Sequence, residues 1–142
     1  MRGSDGWIGV DLDGVLCVWD PIYLPGLGPP IPSMIERVKG WLATGEEVRI
    51  FTARVTSSEE EPAWRDEARR LINSADPNDW VNDQTDRIDA FCREHFGRAL
   101  PITASKDWRL RVLWDDRAVA MIMNTGLTKD EWRQSGSPKV EA

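Results

Sequence analysis

The sequence holds only two cysteines, one histidine and one tyrosine among 142 residues. Cys17 and Cys92 have no Cys or His close by, so neither a disulfide framework nor a zinc site is indicated, and both are expected as reduced thiols. Basic residues are scarcer than acidic ones: 18 Lys and Arg against 24 Asp and Glu leave a net charge of -6. With a pI near 4.8 this argues against non-specific duplex binding, which requires a basic surface. A small phosphorylated ligand held by a few local cations and a metal stays open. No run approaches the ~18 uncharged apolar residues of a spanning helix, and Met1-Arg2-Gly3-Ser4-Asp5 is not followed by the apolar stretch of a secretion signal. A cytoplasmic chain without a membrane partner is expected. The length suits one domain, residues 1–142, with a single core. An apolar fraction of 41% with eight tryptophans excludes a disordered chain, while a mean hydropathy of -0.45 implies a well-solvated surface.

What is present is an alternation of short apolar runs and helical patterns. Trp7-Ile8-Gly9-Val10-Asp11-Leu12-Asp13 reads as a buried strand that ends in two acids at Gly14. Residues 20–32 then carry five of the nine prolines, a composition that forbids helix and supplies a semi-rigid flap. Ser33-Met34-Ile35-Glu36 reads as a capping box, and Ile35, Val38 and Leu42 predict a helix over 34–43, stopped by Thr44-Gly45. Glu47 to Thr52 is the next strand, running into Ala53-Arg54. A helix is expected from Pro62, with Trp64, Ala68, Leu71 and Ile72 on one face, until Asp76-Pro77-Asn78-Asp79 breaks it. Ile88, Phe91, Cys92 and Phe96 predict another over about 84–96, ended by Gly97. Strands are expected at 100–104 and 110–114, then a helix from Arg117 to Met123, a possible capping box at Thr128 to Glu131, and a polar, frayed tail from Gln134 to Ala142.

Strands alternating with helices predict a three-layer α/β fold, a parallel sheet with helices on both faces and no large cap domain. Such sheets place ligands beyond the carboxyl ends of their strands. Three of the four predicted strand ends bear reactive groups: Asp11 and Asp13, Thr52 and Arg54, and Asp115 and Asp116. The fourth strand ends just before Ser105-Lys106. Four carboxylates gathered at one edge repel unless a cation lies among them, and hard oxygen donors of this kind suit Mg2+. Lys106 and the Thr52 hydroxyl are the complementary set, a point charge and a donor able to hold a phosphoryl group. One carboxylate can then attack phosphorus in line while the other acid of the Asp-x-Asp pair moves the proton. Hydrolysis of a phosphate monoester is the simplest complete use of these parts.

These residues resemble a known family. Asp11-Leu12-Asp13-Gly14-Val15 after an apolar strand, Thr52 in Phe51-Thr52-Ala53-Arg54, then Lys106, then Asp115-Asp116 are similar to the four ordered motifs of the haloacid dehalogenase-like phosphohydrolases, over residues 8 to about 120. The resemblance implies that Asp11 is the nucleophile of an aspartyl-phosphate intermediate and Asp13 the general acid and base, its main-chain carbonyl also on Mg2+. It implies that Thr52 and Lys106 bind the phosphoryl group and that Asp115, with or without Asp116, completes the metal site; Gly14 and Arg54, beside these motifs, are further candidates for substrate contact. Asp13 favours the phosphatase branch over the dehalogenases. The substrate class implied is a nucleotide, an oligonucleotide end or a sugar phosphate. Two features depart from the family pattern: Lys106 lies nine residues before Asp115, too close for an intervening helix, and the flap alone stands where a large cap would be. An open site of this kind accommodates a bulky substrate or an oligomeric partner that covers it.

Blander readings stand beside these. Asp-x-Asp-Gly is often a plain turn, Asp115-Asp116 also suits the start of a helix, Thr52 can be an ordinary strand residue, and Lys106, Arg54 and Arg117 can be solvated surface charges. His95 suits a core or capping role, Gly26-Leu27-Gly28 lacks the context of a dinucleotide loop and reads as flexible, and Trp19 on the flap is a candidate for stacking on a ring. A receiver-type signalling domain uses similar groups, but its lysine would follow the last acid. An inactive binding module that kept the fold is the third reading.

Overall fold

A computed structural model describes residues 6–56, 70, 72 and 77–136. The helix expected from Pro62 and the tail beyond Gly136 lie outside them. Four strands form one sheet: β1 (Trp7–Asp11), β2 (Glu47–Phe51), β3 (Ile102–Thr103) and β4 (Leu110–Trp114), in the order β3-β2-β1-β4. All neighbours are parallel. The long helices are α1 (Pro32–Ala43) and α2 (Pro77–Phe96), and a short α3 (Lys129–Gln134) follows β4. Among the described residues, no helix is long and apolar enough to cross a membrane.

The side-chain alternation of the strands builds the core. Ile8 and Val10 of β1 lie on one face with Val48 and Ile50 of β2, and that face is packed by Ile35 and Val38 of α1 and by Ile88, Phe91 and Cys92 of α2. On the opposite face the Trp7 indole donates to Asp107 Oδ1 at 2.8 Å, and the Arg49 guanidinium lies 4.6 Å from the Trp7 ring centre. No helix has room between β3 and β4. The chain crosses directly, and its turn at Asp107 to Leu110 is fastened to the amino end of β1 by the Trp7 N–H donating to the Arg109 carbonyl at 3.0 Å.

Several local expectations are corrected. α1 starts two residues earlier than 34, at Pro32, and Ile31 occupies the N-cap position without a side-chain bond, so the Ser33 to Glu36 box does not form. Proline at the first helical position presets φ and needs no N–H partner there, which moves the start upstream of the serine. The same rule moves the start of α2: Pro77 opens it, seven residues before the predicted start at 84. The Pro-rich loop is not wholly free of helix, since Pro21–Tyr23 makes one 3-10 turn under an Asp20 cap. Residues 117–123 are not helical. Arg117 N–H donates to Asp115 Oδ1 at 2.7 Å, and Ile122 and Lys129 donate to Leu127 and Ala120, so the backbone groups are used across a turn that brings Met121 beside Thr128. Val119, Met121 and Met123 are exposed, leaving no apolar face to pay for a helix. The Thr128 to Glu131 capping box does form, and it opens α3.

Candidate metal and phosphoryl site

Because every strand runs the same way, all four carboxyl ends share one edge of the sheet. β1 is flanked by β2 on one side and β4 on the other, so connections leave it in opposite directions and open a crevice between β1 and β4. Asp11 closes β1 on one side of that crevice, and Asp115 and Asp116 follow β4 on the other. Each offers a carboxylate oxygen, and the three atoms lie within 4.8 Å of one another. Three carboxylate oxygens this close could hold a metal ion, and their spacing is not specific to Mg2+.

Electrostatics point the same way. Burial pushes the Asp11 carboxyl up to about 7, and a hydrogen bond with the Asp116 side chain and repulsion from Asp115 push in the same direction. The Leu12 N–H, donating to Asp11 Oδ1 at 2.9 Å, opposes this only in part. Burial first and the neighbouring acids second thus keep a proton on Asp11 far above the usual carboxylate range. Gly14 shapes the same spot: it has φ +84°, and a Cβ built on it would stand 2.8 Å from Asp116 Oδ2.

Asp13 is placed differently. Its carboxylate is gripped by Arg54, with Nε donating to Oδ2 and Nη2 to Oδ1, both at 2.8 Å. Arg54 is only 3% exposed, so the reading of a solvated surface arginine does not hold. Its Nη1 donates to Gln84 Oε1 at 2.7 Å and to the Gly26 carbonyl at 3.1 Å, and Gln84 Nε2 donates to the Pro25 carbonyl at 2.9 Å. The guanidinium also lies 5.7 Å from the Trp19 ring centre. One buried cation thus joins the acid turn, the flap, the end of β2 and α2. Gln84 is fully buried and went unnoticed in the sequence, where a lone glutamine in a helical pattern carries no signal.

The turn after β1 is tight. Leu16 and Cys17 N–H both donate to the Leu12 carbonyl, and Gly14 N–H donates to the Cys17 carbonyl at 2.8 Å. The flap is stitched to it by Val18 N–H on the Pro29 carbonyl and Ile31 N–H on the Leu16 carbonyl. Gly28 is buried against the Val18 carbonyl with no room for a side chain, which corrects its reading as merely flexible. Burial raises the Cys17 thiol to about 12, with the Asp13 charge adding to it.

Thr52 is buried at the end of β2, and its hydroxyl accepts from Arg54 N–H at 3.1 Å, capping the 3-10 turn Ala53–Val55. Lys106 is exposed on the loop after β3. Three of the predicted metal ligands are therefore gathered, and Asp13 is engaged by Arg54. Comparison of the chain with protein families, with curated proteins and with solved structures gave no match.

Proposed function

We propose that the protein is a Mg2+-dependent phosphomonoester hydrolase acting through an aspartyl-phosphate intermediate. The observation that carries this reading is the meeting of Asp11 with Asp115 and Asp116 at the crevice between β1 and β4, one turn from Asp13. In this reading Asp11, Asp115, Asp116 and the Asp13 main-chain carbonyl hold the ion. When bound, the cation neutralises the carboxylates and the phosphate they face. The Asp11 carboxylate attacks phosphorus in line, and the ester oxygen leaves with a proton from Asp13. Asp13 then takes a proton from the water that cleaves the acyl phosphate, restoring both acids. The Thr52 hydroxyl, at the neighbouring strand end, and Lys106, from the loop after β3, hold the phosphoryl oxygens.

A three-layer arrangement without a sizeable cap belongs to the same proposal. Its support is that only the stitched flap separates the acid turn from α1. A nucleotide, an oligonucleotide end or a sugar phosphate each suits an edge this open, in the cytoplasm. The test is Asp11→Asn: Mg2+-dependent release of phosphate from an aryl phosphate disappears while the circular dichroism of the fold is unchanged. Release that survives the substitution removes Asp11 as nucleophile.

A further inference from the structure

We propose that Arg54 is not a substrate contact but the positioning residue for Asp13, fixing the carboxyl that protonates the leaving oxygen; this rests on the hydrolase reading above. The argument is geometric. A guanidinium fork meets a carboxylate bidentately in one plane, so two bonds of 2.8 Å fix both the position and the rotation of the Asp13 carboxyl. Arg54 is in turn immobilised by Gln84 and the Gly26 carbonyl, and Trp80, fully buried, donates its indole N–H to the Arg54 carbonyl at 3.2 Å. Four of the five guanidinium N–H groups are thereby used by the protein, and 3% exposure leaves no surface for a phosphate. The fork leaves each Asp13 oxygen a further lone pair. A proton taken up at one of these lone pairs before the ester is cleaved leaves both contacts of the fork in place; that proton passes to the departing alkoxide as its bond to phosphorus breaks, and the water that opens the acyl phosphate returns one to the same oxygen.

Proton donation matters in proportion to the basicity of the leaving group. A nitrophenolate leaves as a stable anion, whereas an alkoxide needs the proton, so misplacing Asp13 penalises an alkyl phosphate far more than an aryl phosphate. A residue that merely stabilised the fold would lower both rates together. The experiment measures kcat with Mg2+ for p-nitrophenyl phosphate and for glycerol phosphate in the wild type, Asp13→Asn, Arg54→Lys and Gln84→Ala. Arg54→Lys keeps the charge but loses the fork; Gln84→Ala removes the strut and decides the question if the lysine variant does not fold. Both are expected to raise the aryl-to-alkyl ratio in the direction Asp13→Asn does, Arg54→Lys by at least about tenfold, a part of the roughly 10²–10⁴-fold that a positioned acid contributes. A ratio within twofold of wild type in a folded variant, while Asp13→Asn shifts it, overturns the role of Arg54 alone. An unshifted ratio in Asp13→Asn removes Asp13 as the acid and Arg54 with it. No hydrolysis of either ester by the wild type sinks the hydrolase reading and this inference together.

Discussion

Gly14 faces Asp116 across the crevice between β1 and β4 so closely that a single added methyl group would stand 2.8 Å from the Asp116 carboxylate. The glycine also holds φ at +84°, in the left-handed region that side chains rarely adopt. Backbone conformation and carboxylate placement are thus set by the same atom-sized gap.

Gly14→Ala is therefore expected to cost about 1–3 kcal/mol in stability from backbone strain and to push Asp116 away from Asp11. Calorimetric titration with Mg2+ checks the second effect: binding weakens by at least tenfold in a variant that still unfolds cooperatively. Wild-type affinity in Gly14→Ala would show that the crevice has slack.

The acid cluster also makes the metal-free protein sensitive to pH. Asp11 titrates near 7 in the fold against 3.8 as an ordinary carboxyl, so the folded state holds a proton that the unfolded chain releases. Stability from this group is whole below about pH 4 and declines as pH rises through 7. Melting temperatures of the metal-free protein should fall across that window, Mg2+ should restore them at pH 7 to 8, and Asp11→Asn should flatten the slope. A metal-free melting curve that rises between pH 4 and 7, unaltered by Asp11→Asn, contradicts the placement of Asp11.

Trp80 is the third test, because it links the core to the site from the first turns of α2. It is fully buried, and its indole N–H is donated to the Arg54 carbonyl. Trp80→Ala should destabilise by about 3–5 kcal/mol through the cavity it leaves. Trp80→Phe keeps much of the volume but withdraws the donor, for about 1–3 kcal/mol. Urea denaturation at fixed pH measures both, and a Trp80→Phe variant as stable as wild type would mean that the hydrogen bond contributes nothing.

Much of the architecture could be read from the residues in order. β1 is legible because a strand buried in a parallel sheet must be apolar along its length, as Trp7 to Val10 is, whereas β2 and the half-buried β4 show in their β-branched and aromatic content. Parallel pairing then carries Asp11 and Asp115 to one edge without further information. Helix starts were less legible, since Pro32 and Pro77 serve as first helical residues where local composition reads as loop or breaker. The segment 117–123 misleads for the opposite reason: its residues suit a helix locally, but no surface is available to bury Val119 or Met123.

Periodicity and residue type are local properties, so the parallel α/β order and the chemical kinds of group at the strand ends are readable from the residues alone. Only folding divides those groups, with Asp11, Asp115 and Asp116 in one cluster and Asp13 on Arg54. Arg54 and Asp13 are 41 positions apart, and Arg54 and Gln84 are 30 apart. A buried charge takes whichever partners the fold sets around it, since leaving one unpaired away from water costs several kcal/mol, and nothing in the neighbouring residues names those partners.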